Sequence, residues 1–335
     1  MAKKRSKKSR GMKMQPAITD LQYTIPASGG ADNVRTSYID TAKGLSRVNR
    51  RLYEQGRLYG YSGLTYIFRQ DTGLGAADRV ATLELSVRTA GNTWIVQNSF
   101  VKGKALWNEM QALVLEDNPS IAGKWHDFKT RLVTQSVSDR QLDVLDGYGN
   151  PVLPGEWVIS KFVMPQHDVD LASGQPLPAD EKTTCLIGPS TSTIESLTKA
   201  YQESRATVQP VDPNVPAGMS TSFFNLLTDS GSQEPELADV IEDENDAPPY
   251  DTNAYPGADT NMISPMTVGF GAISQSEVDG RIGGFVAPCG LLEIEITGYK
   301  LDGTVIAATA MPAIDLLLHV APGGYKGVAA IPMGQ

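Results

Sequence analysis

Residues 79–89, RVATLELSVRT, set Val80, Leu83, Leu85 and Val87 against Thr82, Glu84, Ser86 and Arg88, with only the early register slipping at Ala81. Successive side chains of a strand point to opposite faces, so this stretch reads as a strand with one buried and one wet face. Residues 290–301, which contain LLEIEITGYKL, repeat the pattern through Leu292, Ile294 and Ile296. Working outward, further strands are predicted at 63–69 (GLTYIFR), 157–164 (WVISKFVM), 183–187, 266–273 and 314–320. Gly283, Gly284, Pro288, Pro312 and Gly323-Gly324 supply corners between them. No repeat of fixed period is visible. Six to eight strands separated by long loops and helical insertions predict a mainly β chain, an antiparallel sandwich rather than a βαβ fold.

Helical spacing breaks into this pattern in a few places. Val34, Tyr38, Ala42, Leu45, Val48 and Leu52 recur every three or four residues and predict a helix over 37–57. Residues 93–96 read as an extended run, followed by a helix over 101–116 that Asp117-Asn118-Pro119 stops. Trp94, Phe100, Leu106, Trp107 and Met110 are then expected at a strand-to-helix junction packed on the sandwich. Shorter helices are predicted over 122–133, 192–204 and 234–242.

The chain has 335 residues and only two cysteines, Cys185 and Cys289, which excludes a disulfide framework and a four-ligand zinc module. Its longest apolar stretch, about 305–314, is broken by Thr309 and Pro312, too short to cross a membrane. The basic start has no apolar segment behind it, so it does not read as a secretory signal. A soluble, non-secreted protein is expected.

The net charge of −9 hides a strong polarity. Residues 1–13 carry Lys3, Lys4, Arg5, Lys7, Lys8, Arg10 and Lys13 and no acid. Residues 206–280 carry thirteen acids and no Lys or Arg. Residues 1–33 therefore read as a disordered basic arm, 34–335 as the body, and 206–261 as a long acidic excursion from it. The arm would neutralise about one phosphate per cation, and without an aromatic to stack bases its binding would be independent of sequence. Arg47, Arg50 and Arg51 are the nearest body cations that could join it.

Other chemistry is faint. There is no phosphate-binding glycine loop, no GxSxG and no HExxH; His126, His167 and His319 are isolated in sequence. Asp168 and Asp170 beside His167, and Glu242, Asp243, Glu244 and Asp246 in the acidic run, are weak candidates for a metal. The run lacks EF-hand spacing, and reads as a solvated loop, a contact for a basic surface on a neighbouring copy, or a Ca²⁺ site between subunits. No other cofactor is expected. An enzyme with a site assembled in space ranks last; a nucleic-acid-associated protein with a basic tail remains open.

Three blocks carry a resemblance: NTWIVQNSFVKGKALWNEM (92–110), SKFVMPQHDVD (160–170) and IEDENDAPPYDTNAYPG (241–257). Together with the basic arm and strand-rich body they look like capsid proteins of small circular single-stranded DNA viruses of aquatic origin. The resemblance implies a single jelly-roll β-sandwich of eight antiparallel strands with helical insertions. It also implies self-assembly into an icosahedral shell of about 60 copies or more, and an arm that faces the single-stranded genome. The protein would then reside in the virion, after assembly in the host nucleus or cytoplasm, with no membrane partner. The arm departs from such proteins in being richer in Lys than Arg.

Overall fold

The computed structural model describes residues 16–27, 34–68, 80–120, 127–136, 140–152, 155–163, 181–204, 265–274, 279–307 and 311–333. They are mainly β, with 42% strand against 20% helix, and the two large sheets are antiparallel. Eight strands build the body: β1 (Asp20–Ile25), β2 (Arg35–Asp40), β3 (Leu58–Phe68), β4 (Thr82–Thr89), β8 (Met266–Ser274), β10 (Phe285–Pro288), β11 (Leu291–Tyr299) and β12 (Ile314–Val320). One sheet runs β1-β12-β3-β10, with β9 (Gly280–Ile282) and β14 (Ala330–Ile331) also paired to β3; β13 (Pro322–Tyr325) leads into β14. The other runs β2-β11-β4-β8. Leu21, Tyr23, Leu64, Leu85, Ile294 and Leu318 pack between the two sheets.

The predicted strands at 266–273, 290–301 and 314–320 are there, as β8, β11 and β12. Others moved. The helix expected over 37–57 is instead β2 followed by the short α1 (Thr41–Asn49). Tyr38 and Ile39 pair in the ladder with Glu293 and Leu292, and Asp40 caps the helix by accepting from Lys43 N at 3.0 Å. Arg50, in the left-handed conformation with φ of 52°, ends it. β1 was missed: residues 20–25 lie inside the stretch read as a disordered arm, yet Leu21, Tyr23 and Ile25 are buried. Six residues of register with β12 hold them there.

Between β4 and β8 the chain leaves the sandwich and builds a second core. It comprises α2 (Trp94–Asp117), β5 (Lys161–Val163), β6 (Glu181–Cys185), β7 (Ile194–Ser196) and α3 (Leu197–Ser204), with the three strands in one small sheet. Phe100, Leu106, Trp107, Phe128, Phe162 and Tyr201 fill it. Phe100 and Trp107 pack with Phe128 in this second core, which also takes in Tyr38 of β2 and Leu291 of β11 and so lies against the sandwich, as expected. α2 begins at Trp94, so the extended run predicted over 93–96 is limited to its N-cap, Thr93. The strand predicted over 157–164 is reduced to β5, and the one at 183–187 is β6. The start of the helix predicted over 192–204 is β7.

The described part of the helix expected over 122–133 is extended. Arg131 N donates to Thr184 O at 3.1 Å and Leu186 N to Arg131 O at 2.7 Å, so this segment augments β6. Here the helix-spaced Phe128 and Leu132 are buried by a sheet edge instead. The helix predicted over 234–242 lies outside the described residues.

The two cores are joined by polar bonds as well as packing. Gln55 Nε2 donates to Thr130 O at 3.0 Å, and Thr130 N donates to Gln55 Oε1 at 2.7 Å. Asp40 Oδ2 also accepts from Gln55 at 2.9 Å and from Trp157 Nε1 at 3.1 Å. Burial pushes the Asp40 carboxyl above its ordinary range, against the pull of those donors.

Candidate nucleic-acid interface

The seven arm cations, Lys3, Lys4, Arg5, Lys7, Lys8, Arg10 and Lys13, lie outside the described residues, but the point where the arm joins the body does not. Ile18 N donates to Asn49 Oδ1 at 2.8 Å, and Asn49 Nδ2 returns a bond to Ile18 O at 3.1 Å. Arg51 Nη2 donates to Pro16 O at 3.1 Å, and Val320 N to Thr19 O at 3.0 Å. The arm therefore emerges beside the C-terminal end of α1, where Arg47, Arg50 and Arg51 cluster in sequence.

These three arginines have different fates. Arg47 is only 6% exposed and is bound to Asp143 Oδ1 at 2.5 Å, which Lys43 also reaches at 2.8 Å. It is a structural cation. Burial alone would raise the Asp143 carboxyl, but the bonds and charges of Lys43 and Arg47 outweigh it and hold the group below its usual range. Arg50 is exposed. Arg51 is half-buried, and its guanidinium also lies 5.7 Å from the centre of the Tyr53 ring.

The structure adds one cation that the sequence reading missed. Lys326 Nζ donates to Leu52 O at 2.7 Å and stands 4.9 Å from the Tyr325 ring centre and 5.9 Å from that of Tyr53. Tyr53 Oη donates to Lys326 O at 2.9 Å. Burial lowers the Lys326 ammonium from its ordinary value; Glu54 opposes this and Arg51 adds to it. The signal in sequence was the cation inside Gly324-Tyr325-Lys326-Gly327, 275 residues from Arg51, with nothing local to connect them. Nearby Glu54 and Asp127 are both held by Lys104 Nζ at 3.1 Å.

The metal candidates Asp168, Asp170, Glu242, Asp243, Glu244 and Asp246 lie outside the described residues. Among the described residues no group of three metal-ligating side chains occurs. His319 lies between Asp20, at 2.8 Å from Nδ1, and Thr65, at 3.1 Å from Nε2. This row sits across three neighbouring strands, β1, β12 and β3. The chain has two Ser-x-x-Lys spacings, Ser99–Lys102 and Ser196–Lys199. Both serines are fully buried; Ser99 Oγ donates back to Val96 O, while Lys102 donates to Ser204 Oγ. No helix among the described residues is long and apolar enough to cross a membrane.

No family model matches the chain, and no curated protein or solved structure is significantly similar to it.

Proposed function

We propose that this chain is a viral coat protein whose body is a jelly roll, which self-assembles into an icosahedral shell and holds single-stranded nucleic acid through its basic arm. The observation that carries the reading is strand order. Leaving aside the short β9 and β14, which also pair with β3, the strands β1, β2, β3, β4, β8, β10, β11 and β12 are numbered first to eighth along the chain. One sheet then reads first-eighth-third-sixth and the other second-seventh-fourth-fifth. That interleaving supports a jelly roll of two Greek keys, an architecture that capsid proteins share with lectins and cupins.

Fold alone does not choose among those uses, so the choice rests on charge. A lectin or cupin has no need of seven cations in thirteen residues, whereas a shell that packs a polyanion does. The joint between arm and body supports the same reading, because the arm leaves beside Arg50 and Arg51. On this reading the cargo is single-stranded DNA, bound without sequence preference, and the protein is a structural component of the virion rather than an enzyme. Glu242, Asp243, Glu244 and Asp246 would meet a neighbouring copy, with Ca²⁺ able to bridge them.

Size-exclusion chromatography followed by negative-stain microscopy of the purified chain tests the proposal. Closed particles tens of nanometres across are expected. A monomer or dimer under all salt and Ca²⁺ conditions overturns it.

A further inference from the structure

Among the described residues, three that are not glycine have a backbone in the left-handed region: Arg50 at φ 52°, Lys326 at φ 50° and Cys289 at φ 58°. Cys289 occupies the tight corner between β10 and β11, next to Gly290 at φ 70°. The other two are both cations, and both belong to the surface where the arm joins the body. Each stands where another residue type is the usual choice. Arg50 ends α1, a position that favours Gly or Asn. Lys326-Gly327, both at positive φ, form the two-residue tip between Tyr325 and Val328, where Asn-Gly is preferred. Strained backbone that survives at two long cations on one surface points to a use for their charge.

We infer that Arg50 and Lys326 form a phosphate-binding site on the body itself, which takes the backbone of the single-stranded nucleic acid as it leaves the arm. The inference rests on the proposed function and deepens it: Arg50 was among the body cations expected to join the arm, whereas Lys326, and a site shared by the two, were not expected from the sequence. Lys326 Nζ reaches Leu52 O, two residues past Arg50, so the C-terminal hairpin and the end of α1 share this surface. Glu54 and Asp127, both bound by Lys104, also favour the Lys326 ammonium, so a phosphate would share its charge with them. Burial is the largest influence on the Lys326 ammonium and disfavours it, with Glu54 and Asp127 opposing and Arg51 and Lys104 adding; a bound phosphate would supply a further opposite charge.

Fluorescence anisotropy of the full chain on a labelled oligothymidylate, through a salt series, tests the site. The Arg50→Asn/Lys326→Asn pair removes two charges and suits the left-handed backbone. Its plot of log affinity against log salt is expected to be shallower by about 1.4, from two contacts at about 0.7 each. The variant also loses the Lys326 bond to Leu52 O and its packing on Tyr53 and Tyr325, so its slope is read below its own thermal midpoint, where a merely structural role would leave the slope at the wild-type value. The Arg50→Gly/Lys326→Gly pair should show the same shallower slope, and Arg50→Lys/Lys326→Arg should keep the wild-type slope. An unchanged slope in a folded neutral pair, while wild type binds and forms particles, overturns this site and leaves the coat-protein reading standing. Absence of particles and of binding in wild type overturns both.

Discussion

Arg51 donates to the carbonyl oxygen of Pro16 at 3.1 Å, so the first described residue of the chain is tied to the segment that ends the first helix. With the paired bonds between Ile18 and Asn49, this fixes where the basic arm departs, independently of the arm's own conformation. β1 then carries the chain directly into the sandwich core.

Deleting residues 2–13 removes all seven arm cations but none of these joints. Particles of the deleted chain are expected to assemble and to contain far less nucleic acid, read as a fall in the nucleic-acid to protein absorbance ratio. An unchanged ratio removes the arm from packaging; a failure to assemble makes it structural.

Tyr23 and Gly44 form a second testable pair. The Tyr23 hydroxyl is buried without a hydrogen-bond partner, and a Cβ on Gly44 would sit 2.4 Å from it. Helix propensity favours Ala over Gly by about 1 kcal/mol, so Gly44→Ala would help α1 but for this clash. Tyr23→Phe alone should stabilise the chain by about 1 kcal/mol, because it deletes an unsatisfied polar atom. In that background Gly44→Ala should cost at least about 1 kcal/mol less than in wild type, as measured by urea denaturation of the four-member cycle. Additive effects would show that the hydroxyl is not what excludes a side chain at 44.

Trp107 is 7% exposed and lies 6.2 Å from Phe128, centre to centre, in the core of the insertion. Trp107→Ala should destabilise the insertion by about 3–5 kcal/mol through lost burial and the cavity left behind. The measurement is the denaturation midpoint together with proteolysis between β4 and β8. A midpoint within experimental error of wild type would contradict the packing described.

The Asp143 clamp gives a pH dependence with a defined sign. Its folded carboxyl titrates below the usual range, so its contribution is present above about pH 4, the unfolded value. That contribution is lost as pH falls through the lower folded value. Wild type should therefore exceed Asp143→Asn in stability at neutral pH, and the two should converge in acid. A gap that persists or widens at low pH contradicts the clamp by Lys43 and Arg47.

How far the sequence could be read depended on whether a pattern was local. β4, β11 and β12 were legible because alternation of apolar and polar side chains is a property of the strand itself, as in Leu292, Ile294 and Ile296. β1 has the same alternation in Leu21, Tyr23 and Ile25, but it follows a basic stretch whose composition outweighed six residues of pattern. Tyr38 and Ala42 kept helical spacing by coincidence, since one lies in a strand and the other in the helix after it. Among the candidate cations, nothing local separated Arg47 from Arg50. Only the fold shows that Asp143, ninety-six residues away, buries the first as an ion pair.

By itself, the sequence determined the mainly β class, the charge polarity and the strongest strands, because each follows from composition or from a period of two. The tertiary structure alone decided which strand lies beside which. Ladder hydrogen bonds are made by the backbone, which is the same at every residue, so strand neighbours are chosen by how the buried faces close over one another. It likewise decided that the helical insertion has its own core, and that Lys326 joins the arginines at the arm. Contacts across nearly three hundred residues come from chain closure, and no local spacing encodes them.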